Sequence, residues 1–151
     1  MRTFYIPVIL LAACAEPPQP NTAALYADSL REIHSWHPYE GAKGHYAYDA
    51  MLSALPNESA PVLIAKIPDT TSTAIHDALH DPVPVGNVAF HILLKVFGLK
   101  AETFEAEGVW VMEKDPSKNP IFSVHLDSDE VRERVARRFR AMAMERGWII
   151  P

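Results

Sequence analysis

The chain has 151 residues, 48% of them hydrophobic and 22% charged, with a formal net charge of −5. That length suits one domain with a core of ordinary size, and that balance excludes a disordered polar chain. The acidic sign gives no electrostatic reason to seek nucleic acid, and a lone cysteine, Cys14, excludes an intramolecular disulfide.

The chain opens MRTFYIPVILLAACAEPPQP. Arg2 is a minimal positive n-region, and Phe4 to Ala12 form an apolar h-region of the length of a secretory signal. A membrane-spanning helix needs about 20 apolar residues, roughly twice this run, and no later stretch approaches that length. Small residues then lead into the cysteine. Leu11-Ala12-Ala13-Cys14 resembles the lipobox of bacterial lipoproteins. The resemblance implies a diacylglyceryl thioether on Cys14, cleavage before it and acylation of the new amino terminus. Several acyl chains on one residue exceed the two-signal threshold for stable anchoring. The implied organisation is a signal peptide over 1–13, a lipidated cysteine with a Pro-rich tether over 14–21, and a single mainly helical domain over 22–151. Loss of Arg2 leaves the mature chain at −6. Alanine rather than aspartate follows Cys14, which by resemblance to enteric lipoproteins favours the outer membrane, facing the periplasm. The competing reading is an ordinary signal peptide cut near Ala15, giving a soluble periplasmic protein.

From Thr22 the apolar spacing of Leu25, Leu30 and Ile33, with Tyr26 and Trp36, predicts a helix capped by Asn21 and stopped before Pro38. A loop with two glycines follows over 39–45, then a helix over 46–55 ended by Pro56. A short apolar helix is expected over 58–67, with Pro61 in its first turn. Asp69-Thr70-Thr71-Ser72-Thr73 is rich in N-cap residues and predicts a helix to about Leu79, followed by a turn over 80–86. Asn87 is expected to cap an apolar helix over 88–97, closed by Gly98 and placed at the centre of the core. Residues 108–113 and 121–126 prefer strand, and the polar run 115–120 suits a hairpin turn. Asp127, with Glu130 three residues later, resembles a capping box for a helix to Arg146 carrying the stripe Val131, Val135, Phe139 and Met142. The tail from Trp148 is expected to tuck back. The fold class is therefore mainly α: a bundle of short helices with a small β-hairpin at about 109–126 before a C-terminal helix.

His76 and His80 stand at i, i+4, which on a helix places both imidazoles on one face, with Asp81 as a third ligand for a metal. A zincin motif would have glutamate after the first histidine, and here residue 77 is aspartate. His34 and His37 form a similar pair at i, i+3. No Gly-x-Ser-x-Gly or glycine-rich phosphate loop is present, so no catalytic residue or cofactor is indicated. His91 reads as a core histidine. The arginines at 132, 134, 137, 138, 140 and 146 read as a solvated helix face, with contact to anionic lipid or a partner as the minority reading. Trp36-His37-Pro38-Tyr39 with Tyr46 and Tyr48 supplies either core aromatics or a ligand or glycan surface. The expectation for function is a membrane-anchored, non-enzymatic accessory or interaction module with an unidentified protein partner. The runner-up is a metal-binding protein or metal-dependent enzyme using His76 and His80.

Overall fold

A computed structural model describes residues 22–37, 40–76, 82–111 and 124–149. The expected signal segment, Cys14 and the expected tether lie outside the described residues, as do His80, Asp81 and the expected turn over 115–120. The fold is mainly α, as the sequence predicts, with five α-helices, two 3-10 segments and two two-stranded antiparallel sheets among the described residues.

The expected first helix is broken. Helix α1 covers Thr22–Tyr26, a 3-10 turn covers Asp28–Glu32, and Ile33 is extended. The buried residues Ala27, Leu30, Ile33 and Trp36 recur every third position, which suits a 3-10 turn running into extended chain better than a 3.6-residue period. Leu25, expected inside, is 64% exposed. Helix α2, Tyr46–Ser53, lies where predicted.

Helix α3 spans Pro56–Lys66 and begins two residues before the expected start. Pro56 takes the first helical position, where a missing N–H costs nothing. Pro61 is thereby displaced from the first turn into the helix interior, and it cannot donate to the Asn57 carbonyl. Pro61→Ala is expected to restore that bond and raise stability by about 1–2 kcal/mol, the exposure of Asn57 limiting the gain. Urea denaturation checks this; an unchanged midpoint would mean that the helix has relaxed around the proline.

Within the helix expected over 69–79, residues 72–76 form a strand instead. Strand β1, Ser72–His76, pairs antiparallel with β2, Pro82–Pro84, with an irregularity between the Ser72–Pro84 and His76–Pro82 pairs. Burial alternates, with Thr73 and Ile75 inward. The Thr73 hydroxyl donates to the Val83 carbonyl at 2.7 Å and accepts the Ile75 N–H at 3.1 Å. Ser and Thr are good N-caps, but β-branched threonine also fits a pleated surface, and here pairing decides.

Helix α4, Val85–Phe97, is buried on nearly every face, as expected, with Lys95 exposed. It starts two residues before Asn87, with Pro84 rather than Asn87 at the N-cap. Gly98 closes it in the left-handed conformation (φ 66°) that only glycine adopts cheaply. A second 3-10 segment, Ala101–Glu107, brings Phe104 into the core. Strands β3, Trp110–Val111, and β4, Val124–His125, form the expected hairpin ladder. Helix α5, Asp129–Glu145, is capped by Ser128, whose Oγ accepts the Val131 N–H at 3.3 Å. With the cap one residue later than Asp127, Glu130 is no longer at the box position. The predicted stripe holds: Val131, Val135 and Phe139 are buried. Phe139 packs on Phe104, Phe97 and Phe90 at centroid distances of 4.4, 5.1 and 5.9 Å. Trp148 folds back as expected, its ring 4.8 Å from that of Phe97 and its backbone N–H donating to the Ala143 carbonyl at 2.8 Å.

Candidate functional site

Two places on the described surface gather chemistry. The first is a cleft of about 310 Å³ lined by Asp28, Arg31, Lys66, Asp69, Thr71 and Val85. The 3-10 turn supplies Asp28 and Arg31, the end of α3 supplies Lys66, and the segment leading into β1 supplies Asp69 and Thr71. Lys66 Nζ lies 2.6 Å from Asp28 Oδ1 and 3.5 Å from Asp69 Oδ2. The Thr71 N–H donates to Asp69 Oδ1 at 2.9 Å. The hydrogen bond from Lys66 holds the Asp28 carboxyl below its usual range, and the same bond raises Lys66. Burial alone would raise Asp69, but hydrogen bonds from Thr71 and the charge of Lys66 outweigh it and hold that carboxyl low as well. All three groups therefore stay charged around neutral pH. A general acid or base needs a group that exchanges its proton near the working pH. None of these three groups is poised to exchange a proton near neutral pH.

Arg132 is only 6% exposed, its Nη1 donating at 3.3 Å to the carbonyl of Ile67, the residue after Lys66. It departs from the expected solvated face of α5. Other arginines of that helix tie down neighbours. Arg134 Nε donates to the Glu107 carbonyl at 2.9 Å, and the Arg146 guanidinium lies over the Phe97 and Trp148 rings at 4.8 and 4.9 Å.

The second place is an exposed aromatic patch on α1 and the start of α2. Tyr46 is 50% exposed, with Tyr26 edge-on at 5.7 Å and His45 stacked at 4.7 Å. His34 lies edge-on to His45 at 6.3 Å, and the Tyr46 hydroxyl donates to the Glu32 carboxylate. Leu25, next to Tyr26 in α1, is also exposed.

Of the aromatic residues singled out in the sequence, Trp36 and Tyr48 are buried, pack edge-on at 5.5 Å and belong to the core. Tyr46 belongs to the surface, and Pro38 and Tyr39 lie outside the described residues. His91 is a core histidine, 5% exposed, between Trp36 and Phe90. Its Nε2 has no hydrogen-bond partner, and burial pushes its pKa down to about 3. His76 closes strand β1, so the helical geometry that would join it to His80 is not formed at His76. His34 and His37 lie outside any helix; His37 bridges to Gly41 through paired backbone bonds of 2.8 Å. Among the described residues, no group of three or more His, Cys, Asp or Glu is arranged to hold a metal ion. None of the described helices is long and apolar enough to cross a membrane.

The cleft escaped the sequence reading because Asp28 and Lys66 are 38 positions apart, and no spacing rule connects them. Comparison with known proteins adds no relative: no protein-family model, no curated protein and no solved structure matches the chain.

Proposed function

We propose that this chain is a bacterial lipoprotein, anchored through Cys14 on the periplasmic side of a membrane, with the outer membrane favoured. Its helical domain acts there as a non-enzymatic accessory or interaction module. The anchor rests on Leu11-Ala12-Ala13-Cys14 and the short apolar run before it. The observation that carries the binding role is the cleft, where Asp28, Lys66 and Asp69 are each biased toward the charged form by their neighbours. Such a surface recognises a charged partner without doing acid–base chemistry on it.

Intact-mass spectrometry of membrane-extracted protein tests the anchor. The expected species begins at Cys14 and carries added diacylglyceryl and acyl mass, and Cys14→Ser abolishes that mass and releases the chain from the membrane. An unmodified chain cut elsewhere would favour a soluble periplasmic protein. Stoichiometric metal in the purified protein, lost in His80→Ala, would turn the reading toward a metal site at His76, His80 and Asp81.

A further inference from the structure

We infer that the aromatic patch on α1 and the start of α2 rests on the lipid surface that holds the anchor, so that the domain docks on the bilayer with this face. The inference rests on the lipoprotein reading and adds the orientation of the domain to it. Leu25 is 64% exposed, Tyr46 50% and Tyr26 36%, and the two tyrosine rings and His45 form one contiguous surface. Isolated exposed apolar residues call for no explanation, but a contiguous set does. Tyrosine, with an apolar ring and a polar hydroxyl, is suited to the water–headgroup boundary, and leucine to the acyl side of it.

The tether length keeps this face near the bilayer. Helix α1 begins at Thr22, eight positions after Cys14. Eight residues span at most about 29 Å even when fully extended. A domain of about 130 residues has a radius of gyration near 14 Å and is about 36 Å across. The start of α1 can therefore never stand a full domain diameter above the bilayer. Leu25 and Tyr26, three and four residues on from Thr22, are held within reach of the headgroups, and the pole opposite α1 is not.

The experiment uses the full lipidated chain in vesicles of phosphatidylethanolamine with a minor fraction of phosphatidylglycerol. A nitroxide is placed on Leu25→Cys, on Tyr46→Cys and, as reference, on Arg137→Cys at an exposed site of α5. Relaxation by oxygen, which concentrates in lipid, is compared with relaxation by a water-soluble nickel chelate. Intact mass of each preparation reports the lipid on Cys14. The expected result is an oxygen-to-nickel ratio several-fold higher at Leu25 and Tyr46 than at Arg137. A lipidated chain with equal ratios at all three sites overturns the docked face and leaves the anchor standing. A label at Leu25 or Tyr46 shielded from both relaxants puts a protein partner or a second copy on the patch, and likewise overturns the lipid contact. A chain without lipid on Cys14 overturns the anchor and the docked face together.

Discussion

Gly86→Ala is expected to destabilise the fold by about 3 kcal/mol, the upper range of overpacking effects. Local propensity predicts the opposite sign. Gly86 is the second residue of α4, and alanine is the better helix former by up to about 1 kcal/mol. Packing overrides it. A Cβ at Gly86 would lie 2.1 Å from the Ile67 carbonyl oxygen, 2.6 Å from Arg132 Nη1 and 3.0 Å from the Asp69 carbonyl oxygen. Neither carbonyl is free to swing aside. The Asp69 oxygen accepts the Gly86 N–H at 2.8 Å, and the Ile67 oxygen accepts Arg132 Nη1 at 3.3 Å. Shifting the Ile67 carbonyl away from the added Cβ would break its hydrogen bond to the buried Arg132 guanidinium, which adds a desolvation cost to the clash. Urea denaturation of the variant reads the effect directly. A midpoint at or above that of the unmodified chain would mean that the start of α4 is not seated so tightly.

Acid is expected to unfold the domain earlier than its carboxylates alone would allow, because of His91. In the unfolded chain this imidazole takes up its proton near pH 6.5. In the folded chain burial, assisted by the Lys95 charge, defers protonation to about pH 3. Below pH 6.5 the unfolded state therefore binds more protons. Stability is complete above pH 6.5 and falls as the pH drops toward 3, at about 1.4 kcal/mol per pH unit. Between pH 6.5 and 5 the loss is about 2 kcal/mol. Asp28, Asp69 and Glu130, held low by their neighbours, withdraw their contributions only further down, as the pH falls through the carboxylate range. His91→Leu keeps the volume close, removes a buried nitrogen with no partner, and is expected to flatten the decline between pH 7 and 5 by the same 2 kcal/mol. Urea midpoints at the two pH values check it. A variant that keeps the slope of the unmodified chain would overturn the assignment of this decline to His91.

The sequence by itself determined the elements whose apolar pattern has one solution. Residues 88–97 are apolar all round, so they must be a central helix, and α4 is that helix. Val131, Val135 and Phe139 repeat every four residues, and they are the buried stripe of α5. Pro56 marked the break between α2 and α3, and apolar stretches on either side of a polar run marked the β3–β4 pairing. The fold class follows from those features together.

Tertiary structure decided wherever one residue type serves two roles. Thr71, Ser72 and Thr73 suit a helix cap or a strand, and pairing with Val83 and Pro84 selected the strand. Trp36, Tyr46 and Tyr48 are alike in composition, yet the turn of α2 puts Tyr48 inside against Trp36 and leaves Tyr46 outside. Arg132 looks like any arginine of a solvated helix, and it is buried because Gly86 leaves room beside the Ile67 carbonyl. The cleft depends on Asp28 meeting Lys66 across 38 residues. Such a meeting is a property of how α3 and the 3-10 turn pack, and local propensity carries no information about it.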